Sequence, residues 1–165
     1  VYKRQALTMI TATAWAPAPT WPTWALLATI GAWVAVIDAI TTWIPAALAW
    51  TGWAGWIGAV VVTALSDQTA AIRAVIATAI IFAAWMIAWL ISRGGFGFSD
   101  VRITPLWAAP AAATGIDTIQ VTVIAGLTLI ALYALIDRFR HHTTRFLPWA
   151  PSLCSGALVG LAIAH

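Results

Sequence analysis

Five aspartates, Asp38, Asp67, Asp100, Asp117 and Asp137, are the only acids in this 165-residue chain, which has no glutamate. With 62% hydrophobic and 8% charged residues, an acid beside an apolar stretch is costly to hold and marks function. Asp38 closes one apolar run and Asp100 stands just before another, neither with an arginine one helical turn away on a shared face. Solvation accounts for Asp67, between Ser66 and Gln68. Asp117 precedes an apolar run, where a carboxylate favours a helix N-terminus, and Asp137 opens an arginine-rich loop. Two carboxylates in one site cannot both ionise cheaply. At ~4 Å and an effective dielectric of ~20 they repel by roughly 4 kcal/mol, which raises the second ionisation by roughly three units. Such a pair holds one proton near neutrality: its ionised member can take a proton from water while its protonated member polarises a carbonyl.

Other reactive side chains are poorly placed. His141-His142 shares a loop with three arginines and has no further ligand at metal-binding spacing, so that loop reads as solvated or as a contact for anionic headgroups. Cys154, the single cysteine, sits in an apolar run and reads as packing. Ser99 lacks a histidine partner for nucleophilic work. No metal or other cofactor is expected.

The elements that carry these residues read as membrane helices. A spanning helix needs ~20 mostly apolar residues. The runs lack the alternation of barrel strands, so helices are favoured. Residues 24–37, 46–65, 74–91, 103–115, 118–136 and 150–164 form six runs. The fourth, short and carrying Pro105 and Pro110, is a broken span or one buried among neighbours. The expected fold is all-α, a multi-pass membrane protein of about six transmembrane helices. If the segment after Asp38 is cytoplasmic, Arg93, Arg102, Arg138, Arg140 and Arg145 lie inside and only Arg73 outside, as the positive-inside rule requires. Ser152, Gly156 and Gly160, and Gly55 with Ala59, repeat every four residues, a spacing that lets helices approach closely in lipid. Trp50, Trp53 and Trp56 share a face suited to interfacial anchoring or packing. The net charge of +3 is too thin for a nucleic-acid surface.

Three segments carry a resemblance. Asp38-Ala39-Ile40-Thr41-Thr42-Trp43-Ile44-Pro45 resembles the first active-site segment of the type IV prepilin peptidase family, an aspartate followed six and seven residues later by an aliphatic residue and proline. Gly94-Gly95-Phe96-Gly97-Phe98-Ser99-Asp100-Val101-Arg102 is similar to that family's GxGD segment, and Leu147-Pro148-Trp149-Ala150-Pro151-Ser152-Leu153 with Gly156-Ala157-Leu158 to its closing span. The matches run in the family's order from about residue 21 to the end. Ser99 stands where the family has its second glycine, and alanine follows Pro45 where Asn or Asp is frequent. If that glycine serves a positive φ, Ser99 costs ~1–2 kcal/mol of strain. The favoured reading has Ser99 capping the following helix or hydrogen-bonding Asp100.

The resemblance implies a membrane aspartic endopeptidase with catalytic Asp38 and Asp100, supported by Gly97, Ser99, Ile44 and Pro45. It would cleave the leader peptides of prepilin or prepilin-like proteins at the cytoplasmic face of the inner (cytoplasmic) membrane, in service of type IV pili or secretion. Its partners would be those substrates and membrane lipid, with no nucleic acid. Nothing resembling the family's cysteine-bearing methyltransferase domain is present, so peptidase activity alone is expected. The alternatives are a catalytically inactive descendant with an assembly role, which Ser99 favours, and a small ion- or proton-coupled transporter subunit, which predicts inverted repeats and helices broken near mid-membrane.

Val1-Tyr2-Lys3-Arg4-Gln5 matches the translated end of a transposon used in sequencing libraries and is expected to be an adapter scar. Residues 6–20 are an N-terminal segment of uncertain role, and residues 21–165 the peptidase-like membrane domain. Without Lys3 and Arg4 the charge falls to six arginines against five aspartates. Deleting residues 1–5 should therefore leave membrane insertion unchanged. A large loss of membrane-extracted protein would show that the basic pair directs insertion.

Overall fold

The computed structural model describes residues 15–92, 97–141 and 147–163, with backbone alone at 140 and 141. The Val1–Gln5 segment, residues 6–14, Arg93, Gly94 to Phe96, His142 and Arg145 lie outside the described residues, as do the side chains of Arg140 and His141. Seven helical elements and no strand occur among the described residues: α1 (Ala18–Thr41), α2 (Ala46–Ser66), α3 (Gln68–Ser92), α4 (Phe98–Arg102), α5 (Thr104–Thr114), α6 (Ile116–His141) and α7 (Trp149–Ile163). The chain is all-α, as its apolar runs require.

Of the six runs, four form helices long and apolar enough to cross a membrane among the described residues: α1, α2, α3 and α6. Most are longer than their runs. α1 begins at Ala18 and α6 reaches His141, because threonine, glutamine and an occasional charge are tolerated at helix ends. Arg73 and Asp137 therefore lie inside α3 and α6 rather than in loops. α7 has only 15 residues.

The 103–115 run becomes a buried helix. α5 has 11 residues, about 17 Å at 1.5 Å per residue, against the ~30 Å of a hydrocarbon core. Every residue from Thr104 to Ala113 is buried, and α1, α2, α3, α6 and α7 all pack against it. Its alanines let the larger helices close in, and Trp107, fully enclosed, fills the centre with Trp24, Leu27, Leu153 and Leu161. The ends of α5 are tied down. Trp24 Nε1 donates to Thr114 Oγ1 at 2.9 Å, and Arg73 Nη2 donates to the Ala113 carbonyl at 2.9 Å, placing a cation at the negative end of the helix.

Asp67 is the whole junction between α2 and α3. Its Oδ1 accepts the Ala70 N–H at 2.9 Å, so it caps α3, a role beyond solvation. The Ser152/Gly156/Gly160 spacing marks the seam between α7 and α6. A Cβ on Gly156 would lie 2.6 Å from the Thr122 carbonyl oxygen and 2.7 Å from the Gly126 nitrogen. Because both neighbours are backbone, the helices must separate to admit it. Gly156→Ala should therefore cost about 1–3 kcal/mol as overpacking, read as a lowered melting temperature in micelles. Gly58→Ala, with nothing within 4 Å, should be neutral or gain up to ~1 kcal/mol in helix propensity.

Candidate active site

Asp38 lies in the last turn of α1 and the chain reverses just beyond it. Thr42, at φ 53°, ψ 22°, is the only non-glycine residue with positive φ among those described. Its N–H donates to the Asp38 carbonyl at 2.8 Å, closing the helix in the left-handed conformation that glycine usually supplies. The Thr41 hydroxyl donates to the Trp43 carbonyl at 2.8 Å and accepts the Trp43 N–H at 3.2 Å. This reversal drives Ile44 into the interior, where it is 1% exposed, and sets Pro45 ahead of the first turn of α2. Ile44 shares a buried cluster with Ile103, Leu106 and Ala150. One aliphatic side chain thus ties the turn after Asp38 to the segments following Asp100 and opening α7.

Asp100 lies in α4, a single turn whose N-cap is Gly97. The Asp100 N–H donates to the Gly97 carbonyl at 3.1 Å. Gly97 has φ −72°, so its role is space and not conformational freedom: a Cβ there would lie 2.9 Å from Asp100 Oδ2. Ser99 is inside α4 with no positive φ. It is neither strained nor the helix cap, and among the described residues its hydroxyl makes no hydrogen bond to Asp100. Both readings of the serine are corrected by its position in the helix, two residues past the Gly97 cap. Trp53 Nε1 donates to the Arg102 carbonyl at 2.9 Å, holding the end of α4 against α2.

These elements bury Asp38 to 2% and Asp100 to 5% exposure. Asp38 Oδ2 accepts the Ala150 N–H at 3.0 Å, from the first turn of α7. Burial first, and then the neighbouring Asp38 charge, push the Asp100 carboxyl up to about 8. Repulsion between the acids is thus the second cause of the shift. Desolvation is the larger one, and the spacing of acids in a sequence does not reveal it. No arginine pairs with either acid among the described residues: Arg102 instead places its guanidinium 5.0 Å from the Phe98 ring centroid.

The fold unites the first and second motifs, Asp38 with Ile44 and Pro45, and Gly97 with Asp100, and adds Ala150 from the closing segment. It keeps Asp67 and Asp117 apart from them. Asp67 and Asp117 stand at the starts of α3 and α6, at the far end, where Asp117 lines a cavity of about 420 Å³ with Pro17, Thr114 and Gly160. The Ala150 N–H is what the sequence leaves unmarked. Its one trace is a helix start, Leu147-Pro148-Trp149-Ala150-Pro151, with no adjacent Ser, Thr, Asp or Asn to cap it.

Because folding holds a proton on Asp100 that the unfolded chain releases, the native state binds more protons between roughly pH 4, the ordinary carboxylate value, and about 8. Stability should fall as pH rises through that window, and Asp100→Asn should flatten the slope in thermal melts. Gly97→Ala, which displaces the carboxyl from its seat, should reduce the slope while leaving helix content intact. No family model, curated protein or solved structure matches the chain, so the function rests on this pair of buried acids and on the motif order.

Proposed function

We propose that the protein is a membrane aspartic endopeptidase that uses Asp38 and Asp100 to remove the leader from prepilin-like substrates. The observation that carries this reading is a pair of buried carboxylates, close enough for one charge to act on the other, with a proton retained near neutrality. That is the state in which one acid can activate water and the other polarise a peptide carbonyl. The three motifs in family order support the substrate class. α5 and α7 would complete six membrane segments, with α5 enclosed by the rest. The acids would then face the cytoplasm on the side of Arg138, Arg140 and Arg145, as the loop charges favour.

Interfacial aromatic residues agree with that placement. Trp15 and Trp21 at one end of α1 and Trp43 beyond the other are exposed. From Trp21 to the end of α1 at Thr41, just before Trp43, runs about 30 Å of helix at 1.5 Å per residue, close to a hydrocarbon core with an aromatic belt at each boundary. Asp38 would lie just inside the boundary nearer Trp43, within reach of water and of a substrate's juxtamembrane segment.

Asp38→Asn and Asp100→Asn should each abolish cleavage of a co-expressed, epitope-tagged prepilin in membranes. The double variant should be no worse than either, because the acids act as a unit. Asp67→Asn and Asp137→Asn should keep activity where their abundance is normal. Full cleavage by Asp100→Asn at normal abundance would overturn the peptidase reading. An inactive parent restored by Ser99→Gly would favour a descendant with an assembly role.

A further inference from the structure

We infer that Asp38 is the ionised member of the pair and Asp100 the proton carrier, and that the N-terminus of α7 enforces this order through Ala150, a positioning residue. The chemical steps assigned below rest on the peptidase reading, whereas the ionisation order does not.

The first turn of a helix exposes N–H groups that have no partner within the helix. At the start of α7 the usual remedy is missing. Leu147 and Pro148 offer no side-chain acceptor, and Pro151 has no N–H. Asp38 supplies the acceptor from another helix, 112 residues away in the chain, at 3.0 Å and out of water. A hydrogen bond from a backbone N–H to a carboxylate is stronger than one to a neutral carboxyl, and the positive end of a 15-residue helix favours the anion further.

Among the described residues, Asp100 is offered none of this. It lies in a five-residue turn whose own backbone bond runs from its N–H to Gly97; a Cβ on Gly97 would lie 2.9 Å from its Oδ2, and among the described residues no hydrogen bond reaches its carboxylate. Arg102, two residues on, is engaged with Phe98. From α7, Cys154 directs its thiol to the Gly31 carbonyl at 3.9 Å and leaves both acids alone. Between two acids that must share one proton, the one with the N–H and the helix end keeps its charge.

The order assigns each step. Asp38 takes a proton from water as the water oxygen forms a bond to the scissile carbonyl carbon. The carbonyl π pair takes the proton of Asp100, giving a gem-diol. On collapse the C–N bond breaks and the leaving nitrogen receives the proton held by Asp38. A hydroxyl proton of the diol then returns to Asp100 as the carbonyl re-forms. Water is consumed, an acid and an amine are released, and both aspartates recover their starting states.

Infrared spectroscopy of the full chain in lipid nanodiscs tests the ionisation order without any substrate. A protonated-carboxyl band should be present in the parent at neutral pH, vanish in Asp100→Asn and remain in Asp67→Asn. In Asp38→Asn it should survive at mildly acidic pH, where solvated carboxylates have already ionised. Where an Asn variant inserts poorly, as judged by circular dichroism, the Ser variant at the same position replaces it. Ala150→Pro, which removes the N–H, should leave a larger share of carboxyl protonated at neutral pH than Ala150→Gly, which keeps it. A band that survives Asp100→Asn, or that is missing from the parent, would overturn the order. Equal spectra for the two Ala150 variants would remove α7 from it. Correct bands in a chain that cleaves nothing would keep the order and sink the peptidase reading.

Discussion

Taking a carboxylate out of water costs several kcal/mol unless it is neutralised or given donors. This fold takes two out of water, near enough for one charge to act on the other, and gives a donor to one. Asp38 receives the Ala150 N–H, and among the described residues Asp100 receives none. An ion pair would have been the ordinary remedy, and the arginine nearest in sequence to either acid is turned onto an aromatic ring instead. In the proposed peptidase, this unequal supply of donors would make one of two similar side chains the base and the other the acid. A single proton is shared because the site is dry, and its location follows from where the one helix end points.

The remaining architecture maintains that inequality. Dryness depends on α5, whose alanines let five neighbouring helices pack around it just after the Asp100 turn. The direction of the donor depends on the seam between α6 and α7, where Gly156 and Gly160 admit the backbone of α6 almost to contact. The location of Asp38 depends on the left-handed Thr42, which ends α1 within one turn of the acid and returns Ile44 to the core. These devices lie far apart in sequence, yet Ile44, Ile103 and Ala150 meet in one cluster. A change that loosens any of them lets water reach the carboxylates and narrows the difference between them.

Composition and acid placement suffice to identify helical, membrane-type structure and to single out Asp38 and Asp100, because in so apolar a chain every charge is expensive. They do not suffice for α5. Its run has the hydropathy of a span, but its prolines and small residues suit enclosure by protein as well as contact with lipid, and only packing distinguishes the two. Ser99 could not be placed either. The motif suggests a turn position, whereas α4 starts at Phe98, two residues earlier than a Ser99 cap requires, and puts the serine inside a helix. The role of Ala150 is invisible because a backbone N–H has no sequence signature. The missing cap at Leu147-Pro148 shows that an acceptor is needed and says nothing about which of the five aspartates provides it.

The juxtaposition of residues 38 and 100 is the central claim, and intramolecular cross-linking measures it directly. In a Cys154→Ala background, the Asp38→Cys/Asp100→Cys double variant in native membranes should be joined by a short bifunctional thiol reagent. The linked peptides are identified by mass spectrometry. The Asp38→Cys/Asp67→Cys control, which pairs opposite ends of the bundle, should remain unlinked. Equal cross-linking in both, or none at 38 and 100 when each cysteine alone reacts with a small thiol probe, would contradict the account.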